Sequence, residues 1–167
     1  MIKEIDLLQN LVFEKVQLLL KNLEKDAECE EYFGYNFHLN QFKIKFRKAK
    51  ITPKKTGQFV TIWKRNLNRK TEPFKNTDDF DFYIIFTEQK KNSGFFIFPK
   101  NILSKRNILS TQSKEGKRGF RLYPNWDFPE NKQAQKAKIW QTEFFINFTK
   151  NEEADLGKFE TIWKEII

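Results

Sequence analysis

A single cysteine, Cys29, is present in this chain of 167 residues. That excludes an intramolecular disulfide, a cysteine-cluster zinc site and CxxC redox chemistry, and it makes reducing cytoplasm the expected compartment. Glu28, Glu30 and Glu31 flank the thiol and disfavour its thiolate, which argues against a reactive cysteine. One histidine, His38, cannot build a His-rich metal cluster, so a structural role is expected for it. Neither GxxxxGK followed by Ser or Thr, nor GxGxxG after a strand, occurs, so the standard nucleotide-binding loops are excluded. No apolar run approaches the length of a membrane span. The amino terminus, MIKEIDLLQNLVFEK, breaks its apolar positions with charge and has no small-residue cleavage site, so an unexported protein without a membrane partner is expected.

Acid is missing from one place in particular. Between Tyr35 and Thr71 there are eleven cations, Lys43, Lys45, Arg47, Lys48, Lys50, Lys54, Lys55, Lys64, Arg65, Arg69 and Lys70, and no Asp or Glu. The chain has 31 basic and 22 acidic residues, so 20 basic and 22 acidic residues lie outside that segment and the excess of +9 sits inside it. A bias toward lysine codons would raise lysine throughout and would not empty one segment of acids. The expectation is a face for a polyanion; the alternative is a solvated face.

What the chain does have is aromatic mass, with 19 Phe and 4 Trp, enough for a core that needs no crosslink. Its length fits a single domain, 1–167. Ile5, Leu8, Val12, Val16, Leu19, Leu20 and Leu23 recur at helical steps and predict an amphipathic helix from Ile2 to about Lys25. YNFHL and FKIKFR alternate on either side of Asn40 and Gln41 and predict a tight hairpin, with Phe42, Ile44 and Phe46 on the core face and Lys43, Lys45 and Arg47 on a basic one. QFVTIWKR predicts a strand near a sheet centre, DFDFYIIF and GFFIFPK a central hairpin, and Pro99 the start of a short helix. STQSKEGKRG reads as a loop and GFRLYP as the last strand. Helices follow over about Asn131 to Phe148 and in ADLGKFETIWKEII. The order predicts an α/β (α+β layered) domain: a mixed five- or six-stranded sheet flanked by an N-terminal helix and C-terminal helices.

FRKAKITPKKTGQFVTIWKR, then PFKNTDDFDFYII, GFFIFPK, GKRGFRLYPNWD and KQAQKAKIWQ, occur in an order that resembles the MepB-like family over about Phe46 to Gln141. Similar proteins are encoded beside a multidrug efflux pump and its repressor in some bacteria. The resemblance implies a restriction-endonuclease-like scaffold, whose nucleases hold divalent metal with an Asp and the acid of a (D/E)xK motif. Under one alignment that slot holds Lys48, Ala49 and Lys50, and under another Phe98, Pro99 and Lys100; the lysine matches in both and the acid is absent. Asp79 with Glu88, Gln89 and Lys90 satisfies the motif as a string, but nine extended residues span roughly 30 Å, too far to share a metal.

The leading expectation is therefore a nucleic-acid-binding protein, DNA before RNA, with a degenerate nuclease site, no catalytic residues and no cofactor. Its expected contacts are Arg47, Lys48, Lys50, Lys54, Lys55, Lys64, Arg65, Lys117, Arg118 and Arg121. GKRG at Gly116 to Gly119 could offer backbone N–H groups to a phosphate, and Trp63 and Trp126 are candidates for base stacking. A homodimer is compatible with this reading. The competing enzyme is a divergent metal-dependent phosphodiesterase or nuclease using Asp79, Asp81 or Glu31 with a divalent metal. A third class is a protein-interaction or small-molecule-binding accessory linked to efflux or stress.

Overall fold

The computed structural model describes residues 2–148 and 152–165. Helix α1 (Lys3–Leu8) continues through a widened turn, Gln9–Phe13, and buries Ile5, Leu8, Val12 and Phe13. The helix expected to reach Lys25 ends there. Gln17 sits at φ 61, a left-handed conformation that a right-handed helix does not tolerate, and Leu20–Lys25 becomes strand β1. The spacing of Leu20 and Leu23 looked helical because of a bulge. Between Lys21 and Glu24 the register shifts, with Asn22 at φ 54, and the extra residue lets both leucines pack against the core.

A short 3₁₀ segment, Ala27–Tyr32, starts where the Asp26 carboxylate accepts a bond from the Glu28 N–H. Strands β2 (Tyr35–Leu39) and β3 (Phe42–Lys48) then form the expected hairpin about Asn40 and Gln41. Next come β4 (Lys50–Ile51), β5 (Gln58–Thr61), β6 (Trp63–Arg65) and β7 (Thr71–Pro73). The apolar pair β8 (Phe82–Gln89) and β9 (Asn92–Pro99) follows, with α2 (Lys100–Lys105) opened by Pro99 as expected. The chain continues with β10 (Gly119–Leu122), α3 (Lys132–Thr142), β11 (Phe145–Asn147) and α4 (Glu152–Lys164).

Two expectations at this end are corrected. GFRLYP is not the last strand, and the helix expected to run to Phe148 stops at Thr142 because Phe145 to Asn147 pair with β9. Ile166 and Ile167, at the end of the expected last helix, lie outside the described residues.

Six strands form the main sheet in the order β1-β2-β3-β8-β9-β11, mixed because β3 and β8 run parallel while the other neighbours are antiparallel. The hairpin β8–β9 is central, as its apolar runs require: Tyr83, Ile84, Ile85 and Phe86 are all buried, so both faces are covered. On one face Phe82 stacks on Trp163 of α4 at 4.7 Å, and Phe13 and Phe95 each meet Phe159. On the other, Phe98 meets Phe120, Trp140 and Phe144. That second face carries a smaller sheet, β10-β5-β4, so only Gln58–Thr61 of QFVTIWKR is a central strand, and of a second sheet; after Ile62 the run breaks and Trp63–Arg65 pairs with β7 instead. The pair β6–β7 stands apart as a two-stranded arm. No helix among the described residues is long and apolar enough to cross a membrane.

Tyr83 ties the two sheets, donating its hydroxyl to the Thr61 carbonyl at 3.0 Å. Burial, opposed by Arg47, raises its pKa well above the ordinary 10.0. The folded state thus favours the protonated phenol. Its stabilisation is present in full below the ordinary value and is lost as pH rises toward the folded one. Chemical denaturation from about pH 9 to pH 11 should show wild-type stability falling more steeply than that of Tyr83→Phe. Equal slopes for the two proteins would contradict this.

Candidate nucleic-acid interface

Alternation along β3 places Phe42, Ile44 and Phe46 toward the helices, and Lys43, Lys45 and Arg47 on the opposite face, as the pattern requires. That opposite face is not the open basic surface expected. Arg47 is buried (1% exposed) and donates to an Asp26 carboxylate oxygen at 2.5 Å. Lys45 donates to Asn36 Oδ1 at 3.1 Å, lies 4.8 Å from the Phe74 ring centroid and comes within 4.0 Å of Asp26. Burial, reinforced by repulsion from Arg47, lowers the Lys45 pKa.

Other cations of the acid-free segment are also paired. Lys48 bridges Glu4 of α1 and Glu88 of β8, each at 2.6 Å. Burial pulls its pKa down, but these two hydrogen bonds outweigh it and the net shift is upward. Lys43 pairs with Asp79, Lys50 with Glu31 at 3.9 Å, and Lys64 with Asp78 at 2.6 Å and Glu72 at 3.7 Å. Six of the eleven cations are thus compensated by carboxylates from outside the segment.

The rest fall into two groups. Arg65, Arg69 and Lys70 belong to the β6–β7 arm. Lys54 and Lys55 belong to the turn between β4 and β5. In that turn Lys54 stands at φ 69 and Gly57 at φ 90. A Cβ on Gly57 would meet the Leu122 carbonyl oxygen at 2.7 Å and the Tyr123 ring at 2.8 Å, so only glycine lets the turn lie down on the end of β10. Lys54 and Lys55 are left exposed.

Beside them Arg121 of β10 donates to Thr52 Oγ1 at 2.9 Å and to the Gly57 carbonyl at 3.3 Å, with its guanidinium 6.0 Å from the Phe59 ring centroid. These neutral partners orient the fork without cancelling its charge. The third wall is the start of α3, where Asn131 caps the helix by accepting from the Ala134 N–H at 2.7 Å. A cavity of about 510 Å³ lies between these elements, lined by Lys54, Lys55, Arg121, Tyr123, Glu130 and Asn131 among others. Through Arg121, Tyr123 and Asn131 it adjoins a second, of about 280 Å³, which reaches Lys117, Arg106 and Trp140. Among the described residues none of Lys54, Lys55, Lys117, Arg106 and Arg121 is in an ion pair.

Of the residues singled out in the sequence, the fold therefore gathers Lys54, Lys55, Lys117 and Arg121 around one groove. Arg118 points elsewhere, to Glu115 at 3.3 Å and to the Thr71 carbonyl of the arm at 3.1 Å. Arg47, Lys48, Lys50 and Lys64 are held by carboxylates. Arg106 was missed; it follows α2 and stacks on Trp140 at 5.1 Å, and no sequence signal ties position 106 to positions 54 and 121. Neither tryptophan candidate is open. Trp126 packs edge-on against Phe145 and donates to Gln89, while Trp63 carries the Arg65 guanidinium at 5.3 Å.

The acids of the enzyme alternative are engaged separately. Asp79 precedes β8 and pairs with Lys43, the Asp81 carboxylate accepts the Lys43 N–H at 2.8 Å, and Glu31 lies by Lys50. Asp79 and Asp81 thus sit in the turn before the strand, not along one of its faces. Among the described residues no three His, Cys, Asp or Glu side chains are grouped to hold a metal ion. A third cleft, of about 300 Å³, contains His38, Lys43, Lys45 and Asp79, with Glu24 on its wall, and its charges are close to balanced.

A family model described as MepB-like matches residues 26–147, beyond both ends of the blocks that carried the resemblance. The chain is similar to the crystal structure of MepB, with 32% identity and a TM-score of 0.79, over 90% of this chain and 100% of that one. It is also similar to a bacterial homing endonuclease at 16% identity and a TM-score of 0.46, over 82% of this chain and 88% of that one. Among curated proteins none matches.

Proposed function

The chain belongs to the MepB-like family, and we propose that it binds nucleic acid, DNA before RNA, through the groove between the β4–β5 turn, β10 and the start of α3. One observation carries this reading. Most cations of the basic segment are cancelled within the fold, yet Lys54, Lys55, Lys117 and Arg121 converge from two distant parts of the chain with no ion pair among the described residues, against one lining carboxylate, Glu130. Like charges brought together cost folding energy, and a polyanion that binds them recovers it by releasing counterions.

The groove has the means to hold a phosphate backbone. Lysines act as point charges, and the Arg121 fork is oriented for a phosphate oxygen. β10 is four residues long, about 13 Å at roughly 3.3 Å per residue, so cations at its two ends reach phosphates several base pairs apart. The carboxylates that a metal-dependent cleavage would need are tied to lysines, so binding without cutting is the function we assign.

Fluorescence anisotropy with a labelled duplex tests it. With about five phosphates contacted, affinity should fall roughly 10²- to 10³-fold between about 50 and 200 mM salt, with a log–log slope near −4.5. Absent binding, or binding indifferent to salt, would falsify the proposal. The same titration with duplex RNA should give weaker binding at every salt concentration.

A further inference from the structure

The groove leaves one basic feature unused. The arm formed by β6 and β7 ends in a five-residue loop, Asn66-Leu67-Asn68-Arg69-Lys70, with Arg65 just before it. Leu67 is fully exposed at the tip, more so than any other large hydrophobic residue described. Arg65, Arg69 and Lys70 are exposed and, among the described residues, none is in an ion pair.

The loop is well held. The Asn66 N–H donates to the Lys70 carbonyl and the Arg69 N–H to the Asn66 carbonyl, both at 2.9 Å, and Asn66 Oδ1 accepts from the N–H groups of Asn68 and Lys70 at 2.9 and 3.1 Å. Arg65 Nη1 donates to the Arg69 carbonyl at 3.1 Å. At its root Lys64 pairs with Glu72 and Asp78, and Arg118 of the β10 side reaches the Thr71 carbonyl. An exposed leucine on a closed, anchored loop is presented to a partner at little ordering cost, and the cations around it indicate a polyanionic one.

Resting on the nucleic-acid reading above, we infer that the arm is a minor-groove wedge: Leu67 enters between two base pairs of duplex DNA while Arg65, Arg69 and Lys70 hold the flanking phosphates. Proteins that bend DNA from the minor groove combine an apolar wedge with Arg, Lys and Asn side chains, and Asn66 and Asn68 flank this wedge. Strand β10 joins the arm to the proposed groove. Gly119 pairs with Thr61 at the arm end of β10, and Leu122 pairs with Gln58 beside the Lys54–Lys55 turn. A duplex lying along β10 therefore meets Lys54 and Lys55 at one end and the arm at the other. The narrow minor groove of B-form DNA suits such a tip, and the wide, shallow one of RNA does not.

The test uses the full chain and a duplex of about 20 base pairs with a central TA step, the step most easily unstacked. It carries a donor and acceptor at its ends and, in a second preparation, 2-aminopurine at the step. Wild type should bring the ends closer and brighten 2-aminopurine on binding. Leu67→Ala, at protein concentrations that saturate the duplex, should leave both signals at their free-DNA values. Binding of wild type without either signal, or a Leu67→Ala protein that bends and unstacks as wild type does, overturns the wedge and leaves the groove proposal standing. No binding of any duplex by wild type overturns both.

Discussion

Reversing Lys54 and Lys55 together, Lys54→Glu with Lys55→Glu, should lower duplex affinity by about 10²-fold or more at physiological salt and reduce the salt slope by about 2. The two side chains are exposed, share a cavity with Arg121 and, among the described residues, are in no ion pair. The substitutions therefore remove two of the proposed phosphate contacts and set two carboxylates in their place, while breaking nothing in the fold. Thermal melting should stay within a few degrees of wild type, since exposed changes of this kind are usually worth within about 0.5 kcal/mol. Lys50→Gln is the control. It lies in the same acid-free segment but already sits by Glu31 and over the Tyr32 ring, so its loss should change affinity far less. If Lys50→Gln weakens binding as strongly as the double reversal does, the contact surface is the segment as a whole, not the groove.

Arg47→Ala should have the second largest effect, and on stability. The guanidinium lies behind β3, donates to Asp26 and to the Phe46 carbonyl, and stands 5.7 Å from the Tyr83 ring centroid. Gly34 leaves it room: a Cβ there would come within 3.0 Å of Arg47 Nη1. Removing one partner of a buried pair strands the other charge, and such losses run to about 3–5 kcal/mol. Arg47→Met fills the same space without charge, and the paired change with Asp26→Leu should recover part of the loss. Denaturant midpoints for the three proteins decide the matter. A stable Arg47→Ala that fails to bind DNA would make Arg47 a contact residue after all.

These two predictions divide residues that looked alike as a string. Arg47 and Lys54 belong to the same acid-free segment, and neither composition nor alternation says which of them has a carboxylate opposite. What separates them is who stands opposite. Asp26 lies 21 positions before Arg47, while Glu4 and Glu88 lie 44 and 40 positions from Lys48. Ion pairs at such separations follow from strand order, which a charge count along the chain does not contain.

The first helix failed for a related reason. A β-bulge turns a period of two into an apparent period of three, so Leu20 and Leu23 counted toward a helix that the left-handed residue Gln17 had already ended. Phe144 and Phe145 likewise counted toward the later helix, although Phe145 pairs with Phe96 across the sheet.

Alternation and turn residues by themselves determined the β2–β3 and β8–β9 hairpins and the mixed sheet with helices before and after it, because side-chain period and turn residues are local properties of the backbone; the family was legible in the ordered blocks that carry the resemblance. Only the tertiary structure decided which cations are cancelled and which, among the described residues, stay free of an ion pair. Charge compensation depends on distances of a few ångströms between strands far apart in the chain, and those distances exist only once the sheets have stacked.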